Sequence, residues 1–158
     1  MKKALLFFLV IGLFSCSNPT KTELLDYINN KIVVASGWET KAIRAYEEVS
    51  GANYKSDSLM YLKIQSDVKP NYTTFCKELE KFQAELTQPE LVNLHKKYIE
   101  GANLQLKGFG LITEALEKQD TVIIANANEC LNKGRTLIDE WRAGLDSVCK
   151  KYDVTLTK

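Results

Sequence analysis

One histidine and three prolines are all that this 158-residue chain holds of those residues. Each shortage excludes something. A di-iron helical bundle needs several inward glutamates and paired Glu-x-x-His motifs. The lone His95 has Val92 three places before it, so the motif is absent. One histidine beside dispersed cysteines is too little for a structural zinc site. Haem attachment through Cys-x-x-Cys-His is missing, as are a glycine-rich phosphate loop and Gly-x-Ser-x-Gly. No nucleophile is paired with His95 by spacing. A histidine at the core edge, hydrogen-bonded to a neighbour, is the ordinary reading. Charge of one sign is lacking too: 21 basic residues face 20 acidic ones. Such a balance gives no field to steer nucleic acid, and no basic patch is interleaved with aromatics. The expectation is a protein with no catalytic residues, no metal, no cofactor and no nucleic-acid partner.

What is present begins at the N-terminus. Lys2 and Lys3 precede an apolar run from Ala4 to Phe14. That run has the length of a secretory signal core and is too short for a membrane span, which needs about 20 residues. Leu13-Phe14-Ser15-Cys16 resembles the lipobox of bacterial lipoproteins, although Phe14 is larger than usual for the pattern. The resemblance implies a diacylglycerol on the Cys16 thiol and cleavage just before Cys16. The alternative is an ordinary signal peptide cut elsewhere, with Cys16 incidental. Each buried acyl CH₂ contributes about 0.8 kcal/mol, so two or three chains hold a small domain on a bilayer. Residues 1–15 are read as signal, 16–20 as tether and 21–158 as one domain. Removing Lys2 and Lys3 leaves 19 basic residues against 20 acidic, a formal charge of −1.

With Cys16 lipidated, Cys76, Cys130 and Cys149 remain. Cys130 and Cys149 fall on one expected helix, about 28 Å apart at 1.5 Å per residue. A disulfide needs Cα atoms within about 7 Å. Cys76 falls between them in height, on another helix. Three buried free thiols are expected.

Apolar residues recur at steps of three and four in four segments. The first stripe is Leu25, Ile28, Ile32, Ala35, Trp38, Ala42, Tyr46 and Val49. The second runs from Tyr61 through Ile64, Val68, Tyr72, Phe75, Leu79 and Phe82 to Leu86. The third runs from Leu91 through His95, Tyr98, Gln105 and Phe109 to Leu116, and the fourth from Ile124 through Gly134 and Trp141 to Tyr152. Thr20-Lys21-Thr22-Glu23 and Thr87-Gln88-Pro89-Glu90 have capping-box spacing. Ser56, Asp57 or Ser58 can cap the second segment, and Asp120 or Thr121 the fourth. Pro70 predicts a kink or break in the second helix. Long segments with short connections predict an all-α fold, an antiparallel up-down-up-down four-helix bundle.

Counted up from one end of that bundle, Trp38, the Pro70 region, Gln105 and Gly134 fall at one height. Two readings are open. In one, Trp38 packs over Gly134 and Gln105 bonds the carbonyl that Pro70 frees. In the other, Trp38, Gln105 and Gly134 line a small mid-bundle pocket for a ligand, since a buried glutamine wants partners and a glycine leaves space.

Val68-Lys69-Pro70-Asn71-Tyr72, Pro89-Glu90-Leu91, Leu94-His95, Tyr98-Ile99, Gln105, Ala115-Leu116-Glu117-Lys118-Gln119-Asp120 and Ala125-Asn126 together resemble helical domains of bacterial envelope proteins. The resemblance covers roughly Ser56 to Tyr152. It implies a helical fold behind an anchor and carries no catalytic residues. The expected function is a non-enzymatic envelope lipoprotein. It would be held to the membrane by lipid on Cys16, and would bind an envelope protein or the cell wall. In an organism with two membranes, Ser17 is unlike the Asp that retains lipoproteins at the inner membrane in enterobacteria. The expected place is then the outer membrane, facing the periplasm. A small-molecule binder with a pocket near Trp38 and Gln105 is the alternative.

Overall fold

The structure is a computed structural model, described here for residues 18–155, so Cys16 and the expected signal lie outside the described residues. The chain is all-helical, with no strand among the described residues. Four long helices account for nearly all of it: α1 (19–47), α2 (57–85), α3 (Pro89–Lys118) and α4 (Thr121–Lys151). A short 3₁₀ turn, Gly51–Asn53, interrupts the loop between α1 and α2.

The helix starts are chemically explicit. Asn18, not Thr20, caps α1: its side-chain oxygen accepts from the amides of Thr20 (3.0 Å) and Lys21 (3.3 Å). Glu23, the expected partner in that capping box, instead reaches across to the start of α3. Its Oε1 accepts from the amides of Thr87 (2.8 Å) and Gln88 (3.0 Å), and its Oε2 from the Thr87 hydroxyl. The second capping box is therefore replaced by a cap from another helix. Ser56 caps α2 and Asp120 caps α4.

Helix α1 contains one wide π-turn, Tyr27–Ile32. A π-turn adds a residue to the α-helical count, so the turns on its two sides are rotated relative to each other. Above it the inward residues include Ala35 and Ala42, in phase with the expected stripe. Below it the inward residue is Leu24, followed by Tyr27 at the first position of the turn, while Leu25 is 40% exposed. The steps of three and four assumed a uniform helix, and the extra residue moved the lower stripe by one. A second π-turn, Ile64–Val68, sits just before Pro70 in α2. The Asn71 side-chain amide donates to the Asp67 carbonyl at 2.7 Å there, supplementing the helix's own bonding beside the proline.

The helices pack in a ring with one loose seam. Helices α3 and α4 approach closely, because glycines meet. A Cβ on Gly101 would lie 2.8 Å from the Gly134 carbonyl oxygen, and one on Gly134 would lie 2.7 Å from that of Gly101. Helix α2 packs between α1 and α3, chiefly through Val68, Tyr72, Phe75, Leu79 and the small Ala35 and Ala42 of α1. Each large apolar side chain buried this way stabilises the fold by about 1.5–3 kcal/mol. The seam between α1 and α4 closes only near one end. There Tyr27 meets Trp141, and the Lys21 ammonium donates to the Asp153 carbonyl at 3.2 Å.

Of the three cysteines after Cys16, all free, Cys76 and Cys149 are buried as expected, but Cys130 is only half-buried. Burial, with the charge of Glu80 adding to it, pushes the Cys76 thiol up to about 12.

Candidate functional site

Buried polar groups gather at the closed end of the α1–α4 seam and below its open part. The indole N–H of Trp141 donates to the Tyr27 hydroxyl at 3.0 Å. The Leu79 carbonyl, 2.8 Å from His95 Nε2, can only accept, so Nε2 carries the proton. Nδ1 is then an acceptor, and the Tyr27 hydroxyl donates to it at 2.9 Å. This relay ties all four helices together through a fully buried, neutral imidazole. Burial lowers the His95 pKa, and the bond to Leu79 opposes that only partly. Burial likewise raises Tyr27. Both ring nitrogens are committed to structural bonds, so His95 has no lone pair left for a substrate.

Next to the relay, Trp141 stacks on Tyr98, with centroids 3.8 Å apart and planes at 10°. The Tyr98 hydroxyl donates to Glu39 Oε2 at 3.0 Å. Burial raises the Glu39 carboxyl above its ordinary value, while the Tyr98 bond and the charge of Arg142 pull the other way. One level further, the Tyr72 hydroxyl donates to Gln105 Oε1 at 2.9 Å.

Above these bonds the seam opens into a groove of about 400 Å³. This volume is within the range of small-molecule sites. Its floor is apolar and aromatic, from Ile43, Tyr46, Phe109, Leu131 and Ile138. Tyr46 and Phe109 have ring centroids 5.2 Å apart. Its polar lining comes from Glu39, Glu47, Ser50, Gln105, Arg135, Asp139 and Arg142.

The residues singled out by sequence are partly together. Gly134 is buried beside Gln105, whose Cγ lies 2.7 Å from where a Cβ on Gly134 would stand. Gln105 lines the groove and bonds Tyr72, not a carbonyl freed by Pro70. Trp38 is not among the lining residues. It packs half-buried against the core, with the Lys41 ammonium 4.2 Å from its ring centroid. Gly134 meets Gly101 and Gln105 as its nearest neighbours rather than an indole. The position facing the groove from α1 is Glu39, the next residue along. Successive residues of a helix point about 100° apart, so Trp38 and Glu39 occupy opposite flanks of one inward face. The signal for Glu39 was available: Ala35, Glu39, Ala42 and Tyr46 are spaced by four, three and four.

Among the described residues, no group of three His, Cys, Asp or Glu side chains could hold a metal ion. No helix there is long and apolar enough to cross a membrane. No family model, curated protein or solved structure matches the chain.

Proposed function

We propose that this chain is a bacterial envelope lipoprotein, held by lipid on Cys16, whose helical domain works by binding and not by catalysis. The observation that carries the reading is the placement of its two ends. Asn18, where α1 begins, lies two residues from Cys16, and that end also holds the Thr87–Gln88 turn and Asp153. The opposite end carries Tyr54 in the loop before α2, Leu59 and Leu62 in the first turns of α2, and Val122 at the start of α4. All four are exposed, Leu62 by 61% and Val122 by 66%. A lipid on Cys16 would hold the first end at the bilayer and present the apolar one to a partner in the envelope. Placement at the outer membrane, facing the periplasm, belongs to the same reading for an organism with two membranes. Partition into detergent with intact-mass analysis, on the natural chain and on Cys16→Ser, tests the anchor. A chain that stays aqueous and carries no lipid sinks it. Site-specific photo-crosslinking in cells from position 62 tests the far end, and absence of any discrete adduct counts against a protein partner.

The finer topology belongs to the same proposal. Lys31 pairs with Glu85 and Lys63 with Glu48, while Tyr72 meets Gln105 and Leu79 meets His95. Gly144 meets Leu94, Gly134 meets Gly101, and Leu131 meets Gly108. In each pair one number rises as the other falls, which supports an up-down-up-down, antiparallel four-helix bundle. The π-turn at Ile64–Val68 beside Pro70 supports a kink there, since both devices bend helices.

A second reading has its own support. The α1–α4 groove joins an apolar floor to a few convergent polar groups, the form of a small-molecule site. Gln105 belongs to it, with Glu39 in the place expected for Trp38. Titration of metabolites against intrinsic Trp fluorescence tests it, because Trp141 is stacked on the tyrosine that holds Glu39.

A further inference from the structure

Two charged side chains in the groove make no salt bridge among the described residues. Glu39 is half-buried in the seam, and its direct donor among the described residues is the neutral hydroxyl of Tyr98. Its cationic neighbour Arg142 gives its hydrogen bond to Asp139 at 2.9 Å. A carboxylate drawn out of water without a paired cation is costly. Arg135 is the converse: its guanidinium makes no salt bridge among the described residues. It lies close enough to Tyr46 to act on that phenol's titration. Arg142 lies near enough to Glu39 to act on its carboxyl, and Arg135 stands seven residues along the same helix, about 10 Å of backbone rise away. The cationic charge acting on Glu39 is that of Arg142, and Glu39 and Arg135 form no salt bridge with each other among the described residues. Between them lie the apolar floor and the side-chain amide of Gln105, whose NH₂ has no hydrogen-bond partner among the described residues.

We propose that the groove binds a short zwitterionic peptide, its free amino end on Glu39 and its free carboxylate on Arg135. A guanidinium suits a carboxylate, which it can clamp with two parallel bonds. The Gln105 NH₂ is placed to donate to a peptide carbonyl between the ends. Apolar side chains of the ligand would lie over Tyr46, Phe109 and Ile138. A fatty acid would satisfy Arg135 and leave Glu39 unpaired. An alkylamine would do the reverse. The inference rests on the small-molecule reading of the groove and narrows it to one ligand class.

The test is calorimetric titration of the full chain, in non-ionic detergent, with the tripeptide Leu-Phe-Leu. The same peptide is run acetylated at its amino end and amidated at its carboxyl end, and laurate is run in parallel. Expected is binding of the free peptide, weakened about 10-fold by either block. Glu39→Gln keeps an acceptor for Tyr98. It should weaken the free peptide and abolish the penalty for acetylation while leaving that for amidation. Arg135→Gln should do the opposite. No heat from di-, tri- or tetrapeptides overturns the proposal, and so does binding indifferent to both blocks. Laurate binding with silent peptides overturns it as well, yet leaves the groove a small-molecule site. Silence from every ligand class fails both readings.

Discussion

The contact between α3 and α4 makes a prediction of sign. Gly134 and Gly37 are both glycines inside helices, and glycine in a helix interior costs about 0.8–1.0 kcal/mol relative to alanine. On propensity alone, both Gly→Ala changes should stabilise equally. Their surroundings differ. A Cβ at Gly37 meets nothing within 4 Å, so Gly37→Ala should gain nearly the full propensity term. A Cβ at Gly134 would stand 2.7 Å from the Gly101 carbonyl oxygen, 2.7 Å from Gln105 Cγ and 3.1 Å from the Gln105 amide nitrogen. Two of these atoms are backbone, so relief requires the two helices to separate. Overpacking of this kind costs about 1–3 kcal/mol, and separation also loosens the neighbouring Gly108–Leu131 contact. The net expectation is a loss of up to about 2 kcal/mol for Gly134→Ala against a gain of about 0.5–1 kcal/mol for Gly37→Ala. Urea denaturation followed by circular dichroism resolves that gap of about 2 kcal/mol, provided the slope is unchanged. If Gly134→Ala equals or exceeds Gly37→Ala in stability, the close approach of α3 and α4 is wrong. Gly134→Ala should also push Gln105 away from Tyr72 and so alter the groove.

Other perturbations test other links. Tyr27→Phe strips a partner from both Trp141 and His95, and should cost about 2–4 kcal/mol, since each buried group left unpaired costs about 1–3 kcal/mol; a loss under 0.5 kcal/mol would show that the relay contributes little. Because burial lowers the His95 pKa, the unfolded chain takes up that proton first. Stability should therefore be full above pH of about 6.5 and fall as pH drops below it, and His95→Gln should flatten that part of the profile. Glu23→Ala should cost about 1 kcal/mol as a lost cap. Burial pulls the Glu23 carboxyl up, but its bonds to Gln88 and Thr87 outweigh this and leave it lowered, so its contribution holds above the ordinary glutamate pKa and disappears as pH falls through the lowered value. Iodoacetamide at pH 8, read by peptide mass spectrometry, should label half-buried Cys130 before buried Cys76; equal rates would mean that α2 opens readily from α3.

The helices were legible because their apolar spacing is long and regular, and their boundaries because Ser56, Asp120 and the Pro89 start are local signals. What escaped depends on contacts between distant segments. Glu23 has the spacing for its own helix's cap, yet the amides it satisfies are those of Thr87 and Gln88, across the fold. The π-turn at Tyr27–Ile32 has no sequence marker. It trades one α-helical step for a position that brings the Tyr27 hydroxyl between His95 and Trp141. Gln105 and Gly134 stand out because a polar and a minimal residue occupy inward places. Glu39 is in phase with Ala35, Ala42 and Tyr46, but its residue type masks that spacing, since a glutamate on a helix with exposed charges reads as solvated.

The groove exists because two packing solutions cannot hold along the whole of α1. Alanines at 35, 42 and 45 let α1 lie close to α2, and glycines let α4 lie close to α3. Drawing each outer helix toward its own partner leaves the α1–α4 seam with less to fill it. Near the Tyr27 end, large side chains span the gap, with Trp141 stacked on Tyr98. Higher up, the residues on that flank from α1 and the loop after it are Glu39, Ile43, Tyr46, Glu47 and Ser50, and those of α4 are Leu131, Arg135, Ile138, Asp139 and Arg142. Five of these ten are charged, so the seam cannot close as an apolar core would without burying unpaired charge. A protein selected only for a stable bundle would fill that flank with leucine. Replacing Glu39 and Arg135 together with Leu should therefore raise stability, because burial already works against the Glu39 charge, while removing the proposed peptide site. A double variant that melts lower than the natural chain would mean that the two charges hold the fold itself.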